Sequence, residues 1–375
     1  MDFSFSEDQQ QVAELARKIF AERASHERQR ALERAGERRF DRELWRELAR
    51  AGLIGIALPE AQGGGGLGFL ELALVLEEAG RRTAPVPLFE TALLGALPIA
   101  EFGSEEQKRT LLPRVAAGEL LLTAALHEEG GDVASPATTA SPDGAQGWTL
   151  RGSKLCVPAG AIAEQVLVPA AMGGGSLGVF LVDPAARGVS REEVQTTNGQ
   201  PDAHFSFDGV RVTAQDALGD PKGGARIVAW LEARATAGLC ALSLGVCEEA
   251  LRLTSEYAKT RKQFDQPIAM FQAVGHRAAN AYIDTEGIRL TAWQACWRLA
   301  EGLPAEAAVA VAKIWAAEAG QRVVHAAQHL HGGVGVDREY PLHRYFLWAK
   351  QLELTLGGAT RQLLRLGKLL ADQAA

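Results

Sequence analysis

The sequence predicts an α+β chain in three successive stretches, helical, then β-rich, then helical again. Three observations predict this order. Apolar residues recur at spacings of three and four in the first third, the period changes to two between about Leu120 and Asp216, and a long helical stripe begins at Gly223.

The elements follow in order along the chain. The first third predicts helices over Asp8 to Ser25, Asp41 to Gly52 and Leu70 to Gly80, with Leu15, Ile19, Leu44 and Leu48 marking their buried faces. Alternation then places strands at Trp148 to Leu150, Val166 to Val168, Val179 to Val182 and Phe205 to Phe207, with Gly173 to Gly178 as a hairpin loop. Leu239, Leu242, Val246, Ala250, Leu253 and Tyr257 form one apolar helical stripe, which reads as core. The Ala-rich run from Ala305 to His331 suits close helix packing and ends at Gly332 and Gly333, as helix C-termini do.

A chain of 375 residues with 47% hydrophobic content can bury a sizeable core in two or three domains. Its formal charge of -7 argues against a nucleic-acid partner, whose phosphates require a basic surface. Cys156, Cys240, Cys247 and Cys296 lack zinc-like spacing and read as core thiols. The N-terminus is acidic and amphipathic, and no apolar run reads as long enough to cross a bilayer, so the expected location is cytoplasmic without membrane insertion.

Two glycine runs, Gly63 to Gly68 and Gly173 to Gly178, match Gly-x-Gly-x-x-Gly formally. A dinucleotide fingerprint must follow a strand and open a helix within a βαβ unit, so that the helix N-terminus faces the pyrophosphate. Gly178 leads into a strand-like run, and no second parallel strand follows Gly68 convincingly, so neither run is expected to bind phosphate. His325 and His329 share a helix face near His331, but Ala326 stands where a metalloprotease motif has its Glu, and no metal site is expected. Gly174 to Gly178 matches Gly-x-Ser-x-Gly formally, but it lies in the expected hairpin loop and leads into a strand, so no nucleophile elbow is expected.

The most informative stretch runs from Tyr257 to Gln272. Arg261 ends a long helical pattern, Pro267 marks a corner, and a new helix begins near Gln272. A guanidinium fork suits bidentate contact with phosphate oxygens. The same residues also read as a helix C-terminus whose basic groups complement its dipole.

This stretch resembles the Tyr-x-x-x-Arg-x-x-Phe-Gly-x-x-Ile-x-x-x-Gln signature of the acyl-CoA dehydrogenase family, with Arg261, Phe264, Ile268 and Gln272 in place and Asp265 at the usual Gly. A second family signature follows as His329, His331, Gly332, Gly333 and Gly335, then Glu339, Pro341 and Arg344. The resemblance extends over nearly the whole chain. It implies an N-terminal helical domain over 1–118, a middle antiparallel β-barrel-like domain over 119–220 and a C-terminal four-helix bundle over 221–375.

It also implies FAD, bound between subunits with its adenosine diphosphate portion against a neighbouring chain. Arg261 would meet the pyrophosphate, Phe264 and Gln272 would line the same segment, and His329 with the Gly332 and Gly333 backbone would contact the adenine side. His329 stands where the family usually has Gln, and its reach is shorter. On the flavin side, Leu126 and His127 occupy the strand end where the family has Thr-Glu-Pro. The run Lys154, Cys156, Val157, Pro158 replaces a Lys-x-Trp-Ile-Thr/Ser run.

Family chemistry needs a carboxylate that takes the α-proton of an acyl-CoA thioester as hydride leaves the β-carbon for flavin. Leu356 occupies the position of that Glu, and the alternative base position falls on Ala235, leaving Glu232 about one turn away as the candidate. The other reading of Glu232 is a solvated residue near a helix start; Glu248 and Glu249 are further candidates. A chain with the adenosine-side signature and neither usual base resembles the non-catalytic member of heteromeric acyl-CoA dehydrogenases, such as those acting on steroid side chains in actinobacteria. The expected function is thus α,β-desaturation of an acyl-CoA, by this chain alone or within a homo- or hetero-tetramer, with electron-transfer flavoprotein as acceptor. Two alternatives stay open: a structural, FAD-completing subunit, and a relative with another flavin reaction.

Overall fold

The computed structural model describes residues 4–35, 39–144 and 147–374. Helices α1 (Glu7–Arg23), α2 (His26–Arg34) and α3 (Arg42–Arg50) open the chain. Each expected boundary is set by local chemistry. Ser6 and Gln9 form a reciprocal capping box at α1, and the Asp41 carboxylate accepts the Glu43 and Leu44 N–H groups at α3. Helix α4 (Phe69–Arg81) follows, then a π-helical segment (Phe89–Ala96), α5 (Leu97–Phe102) and α6 (Glu105–Ala116). Alternation gave no sign of the π-helical segment.

Seven strands come next: β1 (Leu122–Ala124), β2 (Thr139–Pro142), β3 (Gly147–Val157), β4 (Gln165–Gly173), β5 (Ser176–Val182), β6 (Val189–Gln195) and β7 (Pro201–Thr213). They form one sheet in the order β1-β4-β2-β3-β7-β6, with β5 on β4. The sheet is antiparallel except where β1 and β2 run parallel to β4. The expected hairpin joins β4 and β5, and Gly173, Gly174 and Gly175 all adopt the positive φ its turn requires. Phe180, Phe205, Leu150 and Val168 anchor the buried face of the sheet.

The remainder is helical: α7 (Gly224–Thr260), a two-residue hairpin pairing Lys262–Gln263 with Gln266–Pro267, α8 (Gln272–Ala300), α9 (Glu306–His331), α10 (Leu342–Leu354) and α11 (Ala359–Ala374). The chain groups into two compact units. A helical unit comprises Met1–Arg30, Phe69–Ala84 and Thr236–Ala375; a β unit comprises Ala31–Gly68 and Pro85–Ala235.

In the helical unit α4 meets α7 backbone to backbone. A Cβ on Gly245 would lie 1.9 Å from the Glu77 carbonyl oxygen, and one on Gly80 would lie 2.2 Å from that of Leu242. Small residues are what permit that approach. Beside this crossing, Arg81 pairs with Glu77 (2.7 Å), Glu78 (3.0 Å) and Glu248, while Arg252 holds Glu249 (2.8 Å). Burial, and then the Glu248 charge, push Glu77 up to about 8.

Several expectations are corrected. Leu15 is 43% exposed, because the buried face of α1 is formed by Ala16, Ile19 and Phe20. Leu253 and Tyr257 are only half-buried, so the core stripe of α7 weakens in its last two turns. The corner after Arg261 falls at Phe264 and Asp265, while Pro267 lies in the second strand of the hairpin. Helix α7 is long and apolar enough to cross a bilayer, but 78% of its most apolar window is buried, which marks it as a core helix. Gly64 and Gly65 lie against the backbone of Leu58 and Ile56, where a Cβ would come within 2.1 and 2.9 Å of the carbonyl oxygens. That loop is glycine-rich for packing. Cys156 is exposed, whereas Cys240, Cys247 and Cys296 are buried.

Candidate functional site

Three helix ends supply the first half of the site, all within the helical unit. The last turn of α7 carries Tyr257 and delivers the chain to Arg261, whose N–H donates to the Tyr257 carbonyl (2.8 Å). Phe264 and Asp265 both adopt φ near +50 to +65°, the left-handed pair that a two-residue hairpin demands. Asp tolerates this region better than most residues, so Asp265 fills the position of the usual glycine without losing the turn. The turn leaves Phe264 89% exposed, its ring edge-on to Phe271 at 6.2 Å.

Helix α8 starts at Gln272 with no side-chain cap, since Phe271 precedes it. Its first N–H groups and the positive end of its dipole are therefore open to an anion. Helix α9 ends at His331, and Gly332 at φ +62° turns the chain away while its N–H donates to the Gln328 and His329 carbonyls. A Cβ at Gly332 or Gly333 would meet nothing within 4 Å, so the backbone there lies open.

Two contacts tie these ends together. The Tyr257 ring stacks on His331 at 4.4 Å, and Tyr340 closes on the same imidazole with its hydroxyl 3.2 Å from Nε2. Because His331 Nδ1 faces the Ala327 carbonyl (2.8 Å), that nitrogen carries the proton and Nε2 accepts from Tyr340. Burial holds the His331 pKa below its ordinary value, in keeping with a neutral ring. The second contact joins Arg277 of α8 to His329 Nδ1 on α9. His325 packs edge-on to Phe346 at 4.9 Å, apart from this pair.

Arg261, Gln272, Arg277 and His329 are all exposed. Among the described residues the Arg261 and Gln272 side chains make no hydrogen bond or ion pair. Two guanidinium groups, an amide, an imidazole and an uncapped helix start form a donor set that fits a pyrophosphate and the nucleoside beside it.

The β unit carries the residues expected on the flavin side, and their chemistry differs. Leu126 is buried and His127 exposed at the strand end after β1. The next residue, Glu128, is buried against Lys154 at 2.6 Å, and it also accepts the Ala137 (2.5 Å) and Thr138 (3.1 Å) N–H groups. Burial alone would raise Glu128. The Lys154 ammonium, the Thr138 side chain and the Ala137 N–H outweigh it and hold the carboxyl below its usual range.

Backbone donors around Cys156 are already engaged. The Leu155 N–H donates to the His127 carbonyl (2.9 Å), the Cys156 N–H donates to His204 Nδ1 (2.9 Å), and Pro158 has no N–H to offer. The Pro158 carbonyl accepts from the Thr123 hydroxyl (2.7 Å). An isoalloxazine edge needs hydrogen-bond donors and an apolar or aromatic face. Cys156, at the position of the usual Trp, supplies no ring, and partial desolvation of its sulfur followed by the Asp202 charge pushes its thiol up. The residues on this side do not fit the usual flavin contacts.

Neither position expected for the catalytic base carries a carboxylate. Leu356 sits half-buried at φ +57° in the turn between α10 and α11, with its carbonyl accepting from Gln362 Nε2 (3.2 Å). Lys313, buried in α9, donates to the Leu352 and Glu353 carbonyls and so caps α10 just before that turn. Ala235 is fully buried. Glu232 is 5% exposed, so it is not the solvated residue that one reading expected. Glu248 and Glu249 are bound into the arginine network of the helical unit.

The helical, β and helical succession is the fold of the acyl-CoA dehydrogenases. The chain belongs to the acyl-CoA dehydrogenase family: the family's N-terminal domain matches residues 6–119 and its C-terminal domain residues 223–370. It is 43% identical over 383 residues to the acyl-CoA dehydrogenase FadE27 of Mycobacterium tuberculosis, covering 100% of both chains. Among solved structures it resembles the Tcur3481-Tcur3483 steroid ACAD, with a TM-score of 0.91 and 48% identity over 98% of this chain and 99% of that one. It also resembles the ChsE4-ChsE5 complex from Mycobacterium tuberculosis, with a TM-score of 0.93 and 43% identity over 99% of each. The family is FAD-dependent.

Sequence reasoning singled out Arg261, Phe264, Gln272, His329, Gly332 and Gly333, and the fold gathers their parent segments at three neighbouring helix ends. It missed Arg277 and His204. The one available signal for Arg277 was the departure at His329, which needs a neighbour to orient it.

Proposed function

We propose that this chain is the FAD-completing subunit of a heteromeric acyl-CoA dehydrogenase, contributing the adenosine-side contacts to a flavin whose isoalloxazine and catalytic base belong to a partner subunit. The observation that carries this reading is a leucine, Leu356, in the turn between α10 and α11, at the position where the family resemblance places the base. Arg261, Gln272 and His329 would hold the adenosine diphosphate portion, with Phe264 and the Gly332 and Gly333 backbone lining it. Bound FAD supplies the hydride acceptor for α,β-desaturation. The similar steroid ACAD and the two-chain ChsE4-ChsE5 complex support a steroid-derived acyl-CoA thioester as the substrate class and a mixed assembly as the working form. Electron-transfer flavoprotein is the proposed acceptor.

The test is a visible spectrum of the chain alone and of the chain co-purified with its partner. The reading expects no flavin-dependent turnover by the chain alone, and a flavin band in the mixed assembly that bleaches with an acyl-CoA thioester. Bleaching by the isolated chain would overturn it and return attention to Glu232.

A further inference from the structure

We infer that Arg277 is a positioning residue for the cofactor's adenosine portion, acting by fixing the tautomer of His329. This inference depends on the proposed FAD-completing role and extends it to a residue outside both family signatures.

The argument starts from hydrogen-bond inventory. A guanidinium has five N–H donors and no acceptor. Arg277 directs one of its terminal nitrogens, Nη1, at His329 Nδ1. That ring nitrogen must present its lone pair, so the single proton of the neutral imidazole lies on Nε2. Arg277 thus leaves His329 with one outward N–H donor of fixed identity and a ring orientation set by the charged partner.

The consequence addresses the departure at this position. A Gln side chain carries donor and acceptor at its tip and can flip to offer either. Histidine is shorter, and its unassisted ring distributes the proton between two nitrogens, of which only one can face the ligand. Arg277 removes that ambiguity. It sits five residues after Gln272 on α8, so its guanidinium also stands near the uncapped helix start that favours an anion. Among the described residues Arg277 makes no ion pair with a carboxylate, so its charge is not neutralised within the chain. The ligand chemistry this pair suits is an adenine or ribose acceptor next to a phosphate.

The experiment measures the FAD dissociation constant of the assembled enzyme by flavin fluorescence, with Arg277→Ala, Arg277→Lys, His329→Gln and the double variant Arg277→Ala with His329→Gln. Arg261→Ala serves as the control on the underlying reading. Loss of the orienting hydrogen bond should weaken FAD about tenfold in Arg277→Ala, with less loss in Arg277→Lys, which keeps a donor. Whatever its own affinity, the His329→Gln background should be insensitive to the further change at Arg277, because an amide needs no tautomer fixed. Equal losses from Arg277→Ala in both backgrounds would overturn the positioning role, as would no loss in either. If Arg261→Ala also leaves FAD binding unchanged, or the assembly binds no FAD, the FAD-completing reading itself falls. If Arg261→Ala alone weakens FAD, that reading stands and only the inference about Arg277 fails.

Discussion

The helix ends around Arg261 and the strand ends around Cys156 treat their polar groups in opposite ways. At the helix ends, guanidinium, amide and backbone donors are exposed, and the Arg261 and Gln272 side chains are unspent among the described residues. At the strand ends, backbone donors are engaged by His127 and His204, and the charged pair Glu128–Lys154 is sealed inside. A buried polar group must find a partner within the fold, whereas an exposed one can wait for a ligand. The difference teaches that family membership need not preserve a site uniformly. One half leaves its polar groups exposed, while the other half has turned them to structural use.

The sharpest way to break the comparison is to disturb the sealed pair. Lys154→Met strands the Glu128 carboxylate in the interior and should destabilise the chain by about 3–5 kcal/mol, read from denaturant unfolding. Because Glu128 is held below its unfolded pKa, its contribution is present above the unfolded carboxylate range and fades as pH falls through the folded value. Little stability change in Lys154→Met would mean that the strand-end polar groups are dispensable, and the contrast would lose one side.

Asp202 gives a pH-dependent version of the same test with the opposite sign. Burial pushes this carboxyl up to about 7, against the Ala159 N–H that it accepts at 3.1 Å. A raised carboxyl binds its proton more tightly folded than unfolded. Stability is therefore greatest below the unfolded pKa and declines as pH rises toward about 7. Asp202→Asn should match the parent near pH 4 and exceed it near pH 8 by on the order of a few kcal/mol. Parallel stability–pH curves for the two proteins would show that Asp202 does not carry this penalty.

Smaller effects sharpen the exposed side. Arg261→Ala should weaken FAD binding in the assembled enzyme about ten- to hundred-fold, the worth of a charge-assisted contact, while leaving the unfolding midpoint unchanged, since the exposed Arg261 side chain makes no hydrogen bond or ion pair among the described residues. A shifted midpoint with unaltered FAD affinity would make Arg261 structural. The smallest effect expected is that of Glu232→Gln on turnover, within about threefold of the parent, since loss of a general base would lower the rate by about 10²–10⁴. A loss of that larger size would place the base in this chain.

Much of this was legible from local patterns. Capping residues Ser6 and Asp41, the glycine hairpin at Gly173 to Gly175, and the Gly332 helix end all act within a few residues of themselves, so their positions in sequence nearly define their geometry. The β region was legible through its period of two, and the missing carboxylate at Leu356 through alignment of nearby residues. What escaped was longer in range. The partners of Cys156 and Lys154 arrive from His204 and Glu128, 48 and 26 positions away in sequence, and no periodicity encodes which of many candidates will arrive. The exposure of Leu15 and Cys156 escaped for a related reason, since apolar character states a preference for burial that only packing can grant.

The sequence by itself determined the family, the helical and β order, the Arg261 signature and the leucine at position 356, because each is a matter of residue identity at a spacing along one strand or helix. Only the tertiary structure decided that Arg277 faces His329, that Tyr257 stacks on His331, and that the donors beside Cys156 are already taken. Those facts depend on which elements approach one another and in what rotation. That choice is made by the packing of many side chains at once, and no single stretch of chain contains it.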